Sequence, residues 1–418
     1  MKQKAKAIIK HPLIYGSFIV VFGGIIANFF NFLFNLFMSR SLSVTDYGTL
    51  ASIVSMVTFP MLVVAAVNPV IIRFAGDYFA QSDEMLLRGL YKKFFNFLLT
   101  VGIIIFILSL LFLSQIGYFF HIINHFVLIL AAVTVFISFL NTINLSFLQA
   151  KLTFGFQVVV NLTSAILKVV LGIGLVLLGY SVNGAVGAIV VSSIGGYIIS
   201  FVPLRFIFSK GNTAPPIEVK ELFRYGVPSA LTLFGLTSFI SSDILLVKHF
   251  LDAVQAGQYA GLSLVGRIIY FISAPIGSVM FPIIVQKHTK GDKFHNTFKL
   301  ALLLVLIPSC CLTLFYFLFP QFSILFFLKR PEYLTVAPLI GIFGIYMTCY
   351  CVLFLLSNFY LSIKKTRIYI PIIIGAILQI ILISLYHQSF LQIIWISFGI
   401  ILALTIGFLL YYPYATKK

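Results

Sequence analysis

Apolar residues run through this chain in long blocks, interrupted at short intervals by charge, Pro and Gly. A hydrocarbon layer about 30 Å thick is crossed by about 20 mainly apolar residues in a helix, and blocks of that length recur almost end to end. The pattern predicts twelve spans, at 14–38, 49–72, 94–114, 122–148, 156–178, 183–208, 227–250, 259–285, 298–319, 333–361, 368–386 and 390–412. The connections are short, and none has room for an external catalytic domain. Pro and Gly inside spans do not veto helices, because neighbouring helices satisfy the freed backbone groups. The start, "MKQKAKAIIKHPLIYGSF", has the basic flank of a signal peptide. Its apolar run is too long for an h-region and no A-x-A site follows, which predicts an uncleaved first span.

Composition agrees: 61% hydrophobic and 9% charged residues over 418 positions lie far from the balance of soluble domains. A net charge of +18 would suit a polyanion such as nucleic acid, but topology accounts for most of it. With both termini inside, Lys2, Lys4, Arg73, Lys92, Lys151, Lys210, Lys287, Lys364, Lys365, Arg367 and most other basic residues fall on the cytoplasmic side. Only Arg40, Lys248, Lys329 and Arg330 fall outside. That asymmetry follows the positive-inside rule and predicts a multi-pass membrane protein with both termini cytoplasmic and no nucleic-acid partner. Cys310, Cys311, Cys349 and Cys351 lie within spans and read as buried small residues. No spacing suggests a metal site or a resident cofactor.

The only sizeable polar connector, "SKGNTAPPIEVKELFRYG" at 209–226, divides the chain into bundles 1–208 and 227–418. An internal repeat supports the division. "SRSLSVTDYGTLAS" (39–52) aligns with "KHFLDAVQAGQYAG" (248–261), pairing Gly48 with Gly257 and Ala51 with Ala260. "NPVII" and "FPIIV" pair Pro69 with Pro282, and "LQAKLTF" and "LSIKKTR" pair Lys151 with Lys364. Halves with an even number of spans enter the membrane in the same direction. The expected fold is therefore all-α integral membrane, twelve transmembrane helices in two six-helix bundles related by a parallel pseudo-two-fold repeat, with a cleft between them.

The segments "FMSRSLSVTDYGTLAS" and "SSDILLVKHFLDAVQAGQYAGLSLVGR", with the short basic loops after spans four and ten, resemble polysaccharide transporters of the multidrug/oligosaccharidyl-lipid/polysaccharide exporter superfamily, the O-antigen and capsule flippase type. The resemblance implies transfer of an undecaprenyl-pyrophosphate-linked oligosaccharide from the inner to the outer leaflet by alternating access. It also implies membrane lipids and other polysaccharide assembly proteins as partners, and no enzymatic step.

The charges inside the spans are the candidate site. Lys168 lies near the middle of 156–178, where a lysine costs about 2.5–3.5 kcal/mol without a partner or water. It shares a helix face with Asn161, Ser164, Ala165 and Gly172, which points it inward. It reads as a cation for an anionic headgroup, or as a structural partner of a carbonyl or acid. Arg267 shares a face with Tyr259, Ser263, Tyr270 and Ala274 and suits a phosphate-sugar junction, with snorkelling to the interface as the alternative. Asp243, the only acid within a span, pairs with Arg267 or Lys168, or couples transport to H+ or Na+.

Asn28, Asn31 and Asn35 line one face of span one, either for interhelical hydrogen bonds or for sugar hydroxyls. Pro60 and Pro69 in span two match Pro275 and Pro282 in span eight, as hinges or as static kinks. The basic loops, Lys364, Lys365 and Arg367 among them, read as topology signals and anionic-lipid contacts, with a secondary role in gathering substrate.

A drug/cation antiporter of the same superfamily would be expected to keep carboxylates inside the first bundle. Asp46, Asp77, Asp83 and Glu84 instead read as loop residues. A polytopic glycan polymerase or glycosyltransferase needs acid/base groups facing outward, and only Asp46, Asp252 and Glu332 fall there, on short loops.

Overall fold

The computed structural model describes residues 12–209, 227–290 and 293–416, and among them every regular element is a helix. Numbered along the chain, α1 is Pro12–Ser41, α2 Val44–Thr58, α3 Met61–Ala80, α4 Glu84–Leu111, α5 Leu113–Phe119, α6 His125–Ala150, α7 Phe154–Leu175 and α8 Ser181–Ser200. The second half holds α9 Val227–Phe250, α10 Ala253–Gly266, α11 Ile268–Lys290, α12 His295–Leu318, α13 Pro320–Leu328, α14 Ile340–Ser362, α15 Tyr369–Leu385 and α16 Phe390–Thr416. The connector expected at 209–226 lies, beyond Ser209, outside the described residues, as do both chain ends, 1–11 and 417–418.

Among the described residues 10 helical stretches are long and apolar enough to cross a membrane. One of them, Phe154–Ser200, holds predicted spans five and six, joined by a wide turn at Val176–Tyr180. Gly179 takes φ 92° in that turn, a conformation a side chain would strain. The predicted second span is not one helix: α2 and α3 are separated at Phe59–Pro60. Proline lacks an N–H and clashes with the preceding turn, which accounts for a break at Pro60. Span eight is also interrupted, at Arg267, where α10 ends, although the Arg267 N–H still donates to Ser263 O (2.9 Å) and the Phe271 N–H to Arg267 O (3.0 Å). Pro69 lies within α3, and Pro275 and Pro282 within α11. Because α3 runs on to Ala80, Asp77 is a helix residue and not the loop residue expected, and Asp46 and Glu84 likewise lie in the first turns of α2 and α4, with Asp83 the cap of α4.

The chain groups into two compact units that are not colinear with it: residues 1–34 with 60–227, and residues 35–59 with 228–418. The end of α1 and all of α2 thus group with the second half. In the first unit α6 packs against α3, α4 and α8, and α7 lies along α8. Phe139, Ile143 and Phe147 of α6 are fully buried. Polar pins cross this core: Tyr91 donates to Asn144 Oδ1 (2.8 Å), Asn144 Nδ2 donates to Ser200 Oγ (2.7 Å), and Ser146 donates to Asn68 Oδ1 (2.5 Å). Such bonds contribute about 0.6 kcal/mol each in a membrane and fix helix register.

In the second unit α14 is the buried centre, packed by α11, α12 and α16, and Phe343, Tyr346, Leu353, Phe359 and Tyr360 are closed off completely. Here α2 lies against α10. Both begin with a side-chain cap at corresponding places of the repeat. Ser43 Oγ accepts the Asp46 N–H (3.0 Å). Asp252 Oδ1 accepts the Gln255 N–H (2.8 Å), and Gln255 returns the bond to complete a capping box. Around both units Ile107, Leu177, Ile374 and Leu410 present bare apolar surface, as a hydrocarbon surrounding requires.

The thiols depart from expectation. Cys351 is buried and Cys349 half-buried, but Cys310 and Cys311 lie on the exposed face of α12. In lipid, exposure costs an apolar side chain nothing, so a small thiol faces either way.

Candidate functional site

In the first unit the intramembrane charge is Lys168 on α7. Its ammonium donates to Asn31 Oδ1 on α1 and lies 5.0 Å from the centre of the Phe34 ring. The ring face supplies a second, weaker attraction for the cation. Among the described residues Lys168 forms no ion pair, so its positive charge is uncompensated by any carboxylate. Sequence spacing put Lys168 and Asn31 in the candidate set separately; the fold brings them into contact. Asn28 is exposed on the same helix, and Asn35 is half-buried and falls in the second unit.

In the second unit Asp243 is fully buried on α9 and held from three directions. Tyr259 of α10 donates its hydroxyl to Oδ2 (2.9 Å), the Ile244 N–H donates to Oδ1 (2.8 Å), and Arg267 Nη2 stands 3.7 Å from Oδ1. Arg267 also donates to the Ile240 carbonyl. The interruption at Arg267 matters here, since the end of α10 places its guanidinium across α9. Its Nε is buried and has no acceptor among the described residues. Tyr270, one turn further on, packs its ring against Tyr350 and Phe354, each at 5.5 Å.

Several residues around Asp243 were not singled out from sequence. Tyr350 donates to the Leu236 carbonyl (3.0 Å), while Tyr346 (2.9 Å) and Gln379 (3.1 Å) both donate to Phe239 O. These donors wrap one face of α9 with polar groups just before Asp243. Their signal was present: Tyr346 and Tyr350 are four apart on one helix face, and Gln379 interrupts an apolar run. Lys248 is another. It reads as a basic residue at the outer boundary, yet it is buried at the end of α9 and donates to Thr49 Oγ1 (3.2 Å).

A family model described as "Polysaccharide biosynthesis protein" matches residues 37–331. The chain belongs to that family. The chain is also similar to the uncharacterized membrane protein EpsK of Bacillus subtilis (strain 168), 25% identical over 207 residues. That match spans 46% of this chain and 38% of the relative's length. Solved structures share the fold of this family member. A multidrug resistance MATE family transporter of the MOP superfamily, in an inward-facing conformation, superposes with TM-score 0.73 over 93% of both chains at 14% identity. The lipid II flippase MurJ, in an inward closed conformation, gives TM-score 0.67 over 93% of this chain and 86% of its own at 15% identity. The all-α, twelve-span fold in two bundles is therefore the fold of these solved structures.

Proposed function

We propose that this polysaccharide biosynthesis protein is a flippase that carries an undecaprenyl-pyrophosphate-linked oligosaccharide from the inner to the outer leaflet by alternating access. The observation that carries the reading is Lys168: a cation on a membrane-spanning helix, set by Asn31 and a ring face, with no carboxylate paired to it among the described residues. A charge kept at that cost and left uncompensated is suited to an anionic passenger. Arg267 is the second contact, through the 18% of its side chain that stays exposed, although Asp243 offsets part of its charge. In this reading Asn28, Asn31, Asn35 and Tyr270 offer donors and acceptors to sugar hydroxyls, while Tyr259, fully buried with its hydroxyl on Asp243, positions that acid.

Asp243 reads as the structural counter-ion of Arg267 in preference to a proton or Na+ carrier, because two donors already sit on its oxygens and the Arg267 guanidinium stands beside them. The break at Pro60 and the interruption at Arg267 supply two points where a half-helix can swing, with Pro69, Pro275 and Pro282 as further bends. The protein has no catalytic step in this account, and both termini are cytoplasmic.

Deletion of the gene in its native host tests the proposal. Loss of a surface glycan with accumulation of its lipid-linked unit inside the cell is the expected result. An unchanged surface glycan together with unaltered lipid-linked pools would overturn it.

A further inference from the structure

A cavity of about 660 Å³ opens in the second unit beside the turn that follows α14. One wall carries Lys364, Lys365 and Arg367; the other is the face of α16 around Gly407 and Tyr411, with Pro371 of α15 closing the side. Among the described residues its lining holds these three cations and no carboxylate. We propose that this cavity binds an anionic membrane lipid, its phosphate held by Lys364, Lys365 and Arg367 and its chain laid along α16. The site is separate from Lys168 and does not depend on the identity of the transported glycan.

The wall is built to hold its charges in place. The turn closes α14 with Lys364 N–H donating to Leu361 O (3.1 Å) and Lys365 N–H to Tyr360 O (2.9 Å). Lys364 takes φ 61°, a left-handed conformation that turns the chain sharply. Tyr360 in turn donates to the Phe408 carbonyl of α16 (2.5 Å), and its ring packs against Tyr411 at 5.5 Å. The basic turn and the apolar wall are thus tied to one another by the same tyrosine.

The first unit provides the contrast. After α6 the chain turns in the same way, with Leu152 at φ 59°. The cation of that turn, Lys151, is spent within the protein: it donates to the Pro203 carbonyl (2.9 Å) and lies 5.7 Å from the Phe206 ring. Lys151 is exposed, as are Lys364 and Lys365 in the second unit, but the latter two line a cavity. Three cations suit a phosphate, and the apolar wall suits a hydrocarbon chain, which a free phosphate would leave uncovered. The neighbouring outward faces of α15 and α16, with Ile374 and Leu410 bare, are apolar and suited to lipid. Gly407 leaves open space where a Cβ would project, so the cavity comes within reach of the chain of a bound lipid.

The test is native mass spectrometry of the purified full chain, titrated separately with phosphatidylglycerol, undecaprenyl phosphate, phosphatidylcholine and inorganic pyrophosphate. The comparison variants are the triple variant Lys364→Ala, Lys365→Ala, Arg367→Ala and the filling variant Gly407→Leu, with unchanged melting temperatures as the check on folding. The expected result is one saturable anionic-lipid adduct, weakened about tenfold or more in both variants. A preference for undecaprenyl phosphate identifies a polyprenyl carrier as the occupant, and a preference for phosphatidylglycerol identifies a bulk phospholipid; each supports the site. Equal binding by wild type and both variants, equally tight phosphatidylcholine, or pyrophosphate binding as tightly as the lipids would overturn it.

Discussion

Gly48 of α2 and Gly257 of α10 meet backbone to backbone. A Cβ on Gly48 would stand 2.7 Å from the Gly257 amide nitrogen, and a Cβ on Gly257 would run into the Val44 carbonyl. These are the two glycines that the internal repeat pairs, so the same position in each half makes the same kind of contact. Close approach of this sort is how small residues hold helices together where burial from water offers no drive. Gly257→Ala is expected to lower stability by about 1–3 kcal/mol, because the obstructing atom is backbone and cannot rotate away. Gly24→Ala, where a Cβ meets open space, is the control and should leave the melting temperature in detergent unchanged. Equal melting of all three proteins would show that the α2–α10 contact contributes nothing.

The Asp243–Arg267 pair makes a prediction of non-additivity. Arg267→Ala leaves a fully buried carboxylate with only Tyr259 and one N–H, and breaking a buried pair in this way costs about 3–5 kcal/mol. Adding Asp243→Asn removes the stranded charge, so the double variant should melt well above Arg267→Ala alone. Asp243→Asn by itself strands Arg267 less severely, since that side chain retains 18% exposure. If export persists in Asp243→Asn, pairing and not ion coupling is the role of the acid. If the two single losses simply add, the pair is not coupled.

Much of this was legible in sequence, and the parts that were not have physical reasons. Span positions and the glycine pair could be read because apolar length and small-residue spacing are local properties. The prolines marked span two as bent, and the structure turns the bend at Pro60 into a complete break. The matching interruption at Arg267 carries no proline, so nothing in its neighbourhood announced it. Lys168 and Asn31 were each conspicuous as polar residues in apolar stretches, but their contact spans 137 positions and no periodicity relates them. Tyr346 and Tyr350 went unnoticed because a tyrosine in an apolar helix looks like core until its hydroxyl is seen on another helix's carbonyl. The assignment of α2 to the second unit was hidden for the same reason, since it is decided by packing and not by chain order.

Orientation follows from charge and is open to direct measurement. With Cys310, Cys311, Cys349 and Cys351 replaced by Ser, single cysteines at Lys364 and Lys329 should react from opposite sides of the membrane. Lys364→Cys is expected to be shielded from an impermeant maleimide in intact cells and labelled after lysis. Lys329→Cys, which follows α13, should be labelled in intact cells. The reverse pattern would invert the topology and place the basic cavity in the outer leaflet.

The role of Lys168 is separable from its presence. Lys168→Ala should abolish glycan export at normal membrane levels, and Lys168→Arg should keep part of it, since the charge survives with different hydrogen-bond geometry. Asn31→Asp is the sharper variant. It leaves Lys168 in place but sets a carboxylate where the amide oxygen now accepts its proton. An ion pair sheltered from water should hold the helices at least as firmly as the amide contact, so the melting temperature is expected to stay level or rise. Export should nevertheless fall about tenfold or more, because the neutralised lysine no longer attracts an anionic passenger. A purely structural lysine predicts the opposite, a variant as active as wild type. Glycan export measured beside thermal stability in this one protein therefore decides between a cation that meets the cargo and one that only joins α7 to α1.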